Sequence, residues 1–201
     1  MDLDQAIKTR RSIRKYDSKE VGFAKVTLLL ESARYAPSSG NLQDFRFIVI
    51  NEKDKKNKIA EASLKQYWMN SAPLFIVICS DITRLKTYYK NNAEKYSNQN
   101  SAAAAMLMAL KAADLGLSTC WVDVFDPKAV SKVLSIDEGI QPQIILTVGY
   151  AYEKPVKDTQ KIPLKRITSF NKYGDRTVNV NNWAKEKYSD KLKKLIKKLK
   201  K

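Results

Sequence analysis

A chain of 201 residues, 44% of them apolar, is long enough for one domain with a real core, and its formal charge of +16 first suggests an anionic partner. With no histidine it can build no Ser-His-Asp or Cys-His nucleophile pair, no His-ligated metal site and no imidazole acid–base; two cysteines are too few for a zinc site. No apolar run approaches a membrane span and the first residues lack a signal peptide's apolar core, so a soluble, cytoplasmic protein is the expectation.

In chain order, Leu3 to Lys8 is a short amphipathic stretch that runs into Arg10-Arg11-Ser12-Ile13-Arg14-Lys15-Tyr16. Four cations there surround one hydroxyl. Arg forks match phosphate oxygens and a hydroxyl adds a neutral donor, so the segment suits a multiply charged anion, although a solvated basic turn has the same composition. Val26, Leu29, Leu30 and Ala33 predict an amphipathic helix that stops near Ala36-Pro37. The loop that follows, through Ser38-Ser39-Gly40-Asn41-Leu42-Gln43, offers small polar groups to the edge of a planar ring, and equally reads as turn chemistry. Phe45 to Ile50 predicts a strand, Lys55 to Gln66 a helix, and Leu74 to Cys79 a fully buried strand. No clear lid is read between Ser80 and Gln99.

Ser101 to Leu117 is apolar nearly all round and rich in small residues, which predicts a central helix with Gly116 as its stop. Thr119 to Val122 predicts a short strand, Pro127 to Leu134 a helix with Pro in its first turn, and Gln143 to Tyr150 another buried strand. Cys79 and Cys120 each adjoin an apolar run, where lone thiols are expected buried and unbridged. Ala151 to Gly174, rich in Lys and Pro, reads as chain extended over the surface. The alternation of strands and helices leaves α/β and α+β both open. No glycine-rich phosphate loop occurs, so side chains must hold any phosphate.

Much of the charge sits at the far end. Between Asn182 and Lys201 nine lysines face Glu186 and Asp190, with Tyr188, Leu192, Leu195, Ile196 and Leu199 at helical spacing. Residues 179–201 therefore read as a Lys-rich amphipathic helix beyond a main domain over 1–178, either packed with a solvated face or able to bind an anionic surface. Lys outnumbers Arg, so specific base readout in nucleic acid is not expected.

RRSIRKY, APSSGNLQDFRF, SAPLFIVI, LGLSTCWV and ILTVGYAYEKP follow one another in an order that resembles nitroreductase-family flavoproteins, over roughly residues 3 to 174. The resemblance implies an α+β fold with a mixed or antiparallel sheet flanked by helices, an intertwined homodimer, bound FMN, and NADH or NADPH as donor. By position it places Arg10, Arg11, Ser12 and Arg14 on the flavin, with Arg10 and Ser12 at the phosphate or ribityl end and Arg14 toward N1 and the C2 carbonyl. Pro37, Ser38, Ser39, Asn41 and Gln43 would reach the flavin of the other subunit. Gln66 would face the ring, and Trp121 and Val122 would lie against it; Ser118 and Asp123 stand where the family often has Gly. Lys161, or Lys165, would close the phosphate site. No metal is implied. The function implied is hydride transfer from the nicotinamide through the flavin to a nitroaromatic, quinone or flavin-like acceptor in a shared cleft, by ping-pong turnover. Alternatives are deiodination or dehydrogenation within the family, a flavin-binding protein without turnover, and an anionic-surface or nucleic-acid binder acting through residues 182–201.

Overall fold

A computed structural model of the chain describes residues 1–153 and 159–177. The helix expected over 179–201 lies outside the described residues. The chain divides into two compact units, Met1–Pro155 and Val156–Lys201. The elements of the first are α1 (Leu3–Thr9), α2 (Phe23–Arg34), β1 (Phe45–Ile50), α3 (Lys53–Ala62), β2 (Leu74–Asp81), α4 (Ile82–Tyr89), α5 (Ala93–Asp114), β3 (Ser118–Val122), α6 (Pro127–Leu134) and β4 (Ile140–Gly149). The described part of the second unit holds one short helix, α7 (Leu164–Ile167), within the stretch expected to be extended.

The fold is α+β. Four strands pair in the order β1-β2-β4-β3, and all three pairings are antiparallel. A parallel contribution enters as the isolated bridge from Ser12 to Thr119. The two longest apolar runs, β2 and β4, take the centre because helices cover both faces of the sheet there. Phe75, Ile76, Val77 and Ile78 are completely buried, and each such side chain contributes about 1.5–3 kcal/mol through removal from water. Strand alternation sends Ile76, Ile78, Leu146 and Val148 toward α2 and α5, while Phe75, Val77 and Ile145 meet Ile59 and Ala60 of α3 and Val130 of α6.

Three boundaries differ from the sequence reading in ways that bear on the site. The helix expected over Lys55–Gln66 ends at Ala62, because Leu64 and Lys65 take left-handed backbone (φ 54° and 57°) and turn the chain. Gln66 therefore stands in a loop before the 3₁₀ turn Tyr67–Ser71. The stretch Ser80–Gln99 contains α4, started by Asp81, whose carboxylate accepts from the Arg84 amide at 3.0 Å. The long helix begins at Ala93, eight residues before its expected start, and at 22 residues runs about 33 Å. Its buried stripe is Ala93, Ser97, Asn100, Ser101, Ala104, Ala105, Met108, Ala109 and Ala112, small side chains that let the helix lie close to the sheet.

Candidate active site

The Arg10–Tyr16 segment leaves α1 as extended chain and runs past the β3 edge of the sheet. The Ile13 amide donates to the Thr119 carbonyl at 3.0 Å, the Asp17 amide to Tyr150 at 2.9 Å, and the Tyr152 amide to Lys15 at 3.1 Å. Tyr16 anchors it. Its ring is 5% exposed, its hydroxyl pairs with Thr147 Oγ1 at 2.7 Å, and it lies so near Gly149 that a Cβ there would come within 2.8 Å of the ring. Burial raises the Tyr16 phenol well above its ordinary range.

With the backbone held, the four cations divide. The Arg11 guanidinium donates to the Lys8 and Arg10 carbonyls and closes the C-terminal end of α1, where a cation is favoured. Lys15 lies over the Tyr152 ring at 3.9 Å and pairs with Glu153 at 3.4 Å. Arg10 lines a cleft of about 320 Å³ with Thr9, Ile13, Ala113, Ser118 and Tyr150. Arg14 stands over the Trp68 ring, 5.6 Å from its centre. Ser12 is exposed, yet it and Arg14 lie beside Cys120; burial raises that thiol, and the Arg14 charge and the Ser12 hydroxyl pull it partly back. Cys79 and Cys120 are both free and buried, as expected.

Trp68 belongs to a second wall. Gln66 Oε1 accepts from Trp68 Nε1 at 3.2 Å, and Gln66 Nε2 reaches the Val124 carbonyl at 3.5 Å. The Asp126 amide donates to Ala62 at 2.9 Å, which ties the loop after β3 to the turn at the end of α3. Arg14, Gln66, Trp68 and Val124 thus form one neighbourhood, and the sequence reading had only its first two members. Val122 is 4% exposed in the core beneath, Trp121 packs half-buried on the opposite face of the sheet, and Asp123 and Val124 are the exposed pair. Trp68 could have been suspected, being an aromatic two residues from Gln66; Val124 contributes its backbone, which leaves no mark in a sequence.

The Pro37–Gln43 loop is a separate, ordered structure. Gly40 takes φ 59°, while Asn41 and Gln43 take φ 55° and 50°. The Gln43 amide donates to Ser38 Oγ at 3.0 Å, Gln43 Nε2 to Asn41 Oδ1 at 3.3 Å, and the Ser39 amide to Asn100 Oδ1 at 3.1 Å. Pro37, Asn41 and Gln43 are exposed. The loop precedes β1, at the sheet edge opposite the one that holds Ser12. Its anchor Asn100 and the cleft-lining Ala109 and Ala113 are about 14–20 Å apart along α5. One chain therefore gathers Arg10, Ser12, Arg14 and Gln66 at one edge and Ser38, Ser39, Asn41 and Gln43 at the other. Lys161 and Lys165 stand exposed in the second unit.

The family model described as "Nitroreductase family" matches residues 7–68 and 62–150. A protein of Methanothermobacter thermautotrophicus, provisionally named NADH dehydrogenase/NAD(P)H nitroreductase, is 30% identical over 162 residues, covering 77% of this chain and 80% of its own. The FMN reductase [NAD(P)H] of Bacillus subtilis is 25% identical over 170 residues, covering 78% of this chain and 68% of its own. Among solved structures, an FMN-dependent nitroreductase of Clostridium difficile superposes with a TM-score of 0.73 at 27% identity, over 85% of this chain and 99% of that one.

Proposed function

The chain belongs to the nitroreductase family, and from that premise we propose that it is an FMN-dependent oxidoreductase, working as a homodimer, that takes hydride from NADH or NADPH and delivers it to flat acceptors such as nitroaromatics, quinones or free flavin. One observation carries the reading. Among the described residues neither the Arg10 nor the Arg14 guanidinium has a hydrogen-bond or ion-pair partner, although both stand on a segment pinned to the sheet at Ile13 and Tyr16. Two fixed cations with unspent donors, one on each side of a serine hydroxyl, fit an anion that carries a phosphate at one end and a polar ring at the other.

FMN is such an anion. Arg10 and Ser12 would hold its phosphate and ribityl end, with Arg11 shaping the segment through its grip on α1. Arg14, braced on Trp68, would stand at the N1 side of the ring, and Gln66 at its polar edge. Pro37, Ser38, Ser39, Asn41 and Gln43 would come from the partner subunit, since one chain holds them at the far edge of its own sheet. FMN, when bound, supplies the hydride chemistry itself, which suits a chain without histidine.

What the protein adds is position and charge. A cation at the place of Arg14 favours the negatively charged reduced ring over the neutral oxidised one, by about 4 kcal/mol at 4 Å and an effective dielectric near 20, before desolvation. One cleft serving donor and acceptor in turn requires ping-pong kinetics. Initial rates with a quinone at several fixed NADH or NADPH concentrations should give parallel double-reciprocal lines; intersecting lines would refute the shared cleft.

A further inference from the structure

Asp44, between the Pro37–Gln43 loop and β1, is completely buried. A carboxylate can sit there only if donors surround it. Two side chains do so: Ser80 Oγ from β2 and Asn100 Nδ2 from α5 both donate to it. The Asp44 carbonyl also accepts from the Asp81 amide at 2.8 Å. Asn100 is 4% exposed and uses its other end on the loop: Oδ1 accepts from the Ser39 amide at 3.1 Å and from Ser39 Oγ at 3.2 Å. A primary amide has one donating and one accepting end. The carboxylate takes the donating end, so the Asn100 oxygen must turn to Ser39. The Tyr89 hydroxyl at the end of α4 lies 2.5 Å from where a Cβ on Gly40 would be, so the loop also packs closely there.

We infer that Asp44 is a positioning residue of the flavin site: by fixing which way Asn100 faces, it sets the shape in which Ser38, Ser39 and Asn41 are presented to the FMN of the partner subunit. The inference rests on the FMN-binding dimer proposed above. Asp44 itself touches no flavin and takes no part in the hydride step.

A swap of the two side chains tests it. With Asp44→Asn alone, the new amide can keep its oxygen toward Asn100 Nδ2 and turn its NH₂ to Ser80 Oγ, a hydroxyl that also accepts, so this change alone is mild. With Asn100→Asp alone, two carboxylates meet. With both changes every pairing returns: the new amide at 44 accepts from Ser80 and donates to the new carboxylate at 100, which accepts from Ser39. The full-length chain, stripped of flavin, is titrated with FMN, and backbone amide exchange over residues 36–43 is followed without flavin. Asn100→Asp alone should weaken FMN binding about tenfold or more and speed exchange in that segment, Asp44→Asn alone should stay within about threefold of the wild type, and the double change should restore both measures to within about threefold. Should Asn100→Asp not fold, a double variant that folds and binds FMN supports the inference, and a double variant that fails likewise overturns it. An Asn100→Asp variant that binds FMN like the wild type, or a double variant no better than it, overturns the inference alone. A wild-type chain that takes up no FMN overturns the proposed function and this inference with it.

Discussion

Arg14 is the residue on which the electronic part of the account turns. Its guanidinium lies over Trp68 and has no carboxylate partner among the described residues, so its charge is available to whatever binds beside it. Arg14→Ala should leave FMN bound and lower its reduction potential, by about 30 mV for each 1.4 kcal/mol of lost stabilisation in a two-electron couple. A potential unchanged from wild type, measured against a reference dye, would remove Arg14 from that role. The buried thiol of Cys79 makes a second residue-scale prediction. Burial pushes it up to about 12, whereas an unfolded thiol titrates near about 8.5. Between those values the unfolded chain has released a proton that the folded chain keeps. The thiol's contribution to stability is thus complete below the unfolded value and is lost as pH rises toward the folded one. Denaturation midpoints should fall with rising pH across that window, and Cys79→Val should flatten the lower part. Tyr16, raised by the same cause, maintains the slope above about 10. A midpoint that stays level in the wild type would contradict the burial of both groups.

At the scale of elements, the Pro37–Gln43 loop shows how a short polar sequence becomes a fixed surface. Gly40 sits at φ 59°, where an L side chain costs about 1–2 kcal/mol. Gly40→Ala should therefore lower the unfolding free energy by at least that amount in denaturant titrations, since the new Cβ also crowds the Tyr89 hydroxyl. Tyr89→Phe in addition should relieve crowding at the ring but leave the backbone cost. Most strands and the ends of α6 were legible, because apolar runs of strand length and a proline in a first turn are local signals. The early end of α3 was not. Leu64 and Lys65 carry no sequence mark of left-handed backbone, and the cost of that turn is met by tertiary contacts such as the Asp126–Ala62 hydrogen bond. The start of α5 at Ala93 was hidden by Lys95, Asn98 and Gln99, which face solvent and obscure the stripe of Ala93, Ser97 and Asn100 beneath. Of the proposed site, Arg10, Ser12 and Arg14 could be named from sequence because single side chains carry the proposal there, and the structure places all three on one segment along the sheet edge. Asp44 and Asn100 escaped notice because their importance lies in pairing across 56 positions of sequence.

For the whole molecule, the two halves of the proposed cradle lie at opposite edges of one sheet, and that separation is the ground for proposing a site shared between two subunits. It also gives a complementation prediction. Arg10→Ala and Asn41→Ala homodimers should each bind FMN poorly, but a heterodimer isolated with two affinity tags should regain one sound site of its two, because both lesions fall in the other site. A heterodimer that binds no better than its parents would place both residues in the same site of one chain. The +16 charge is a whole-molecule property as well, yet +7 of it lies in residues 182–201, and the proposed cradle rests on where Arg10 and Arg14 are held. No helix among the described residues is long and apolar enough to cross a membrane. The most direct test of the account is an anaerobic titration of the flavin-free protein, first with FMN and then with NADH or NADPH. The account predicts stoichiometric uptake of FMN and bleaching of its visible absorbance by at least one of the two donors; failure to take up FMN, or uptake with no bleaching by either donor, would contradict it.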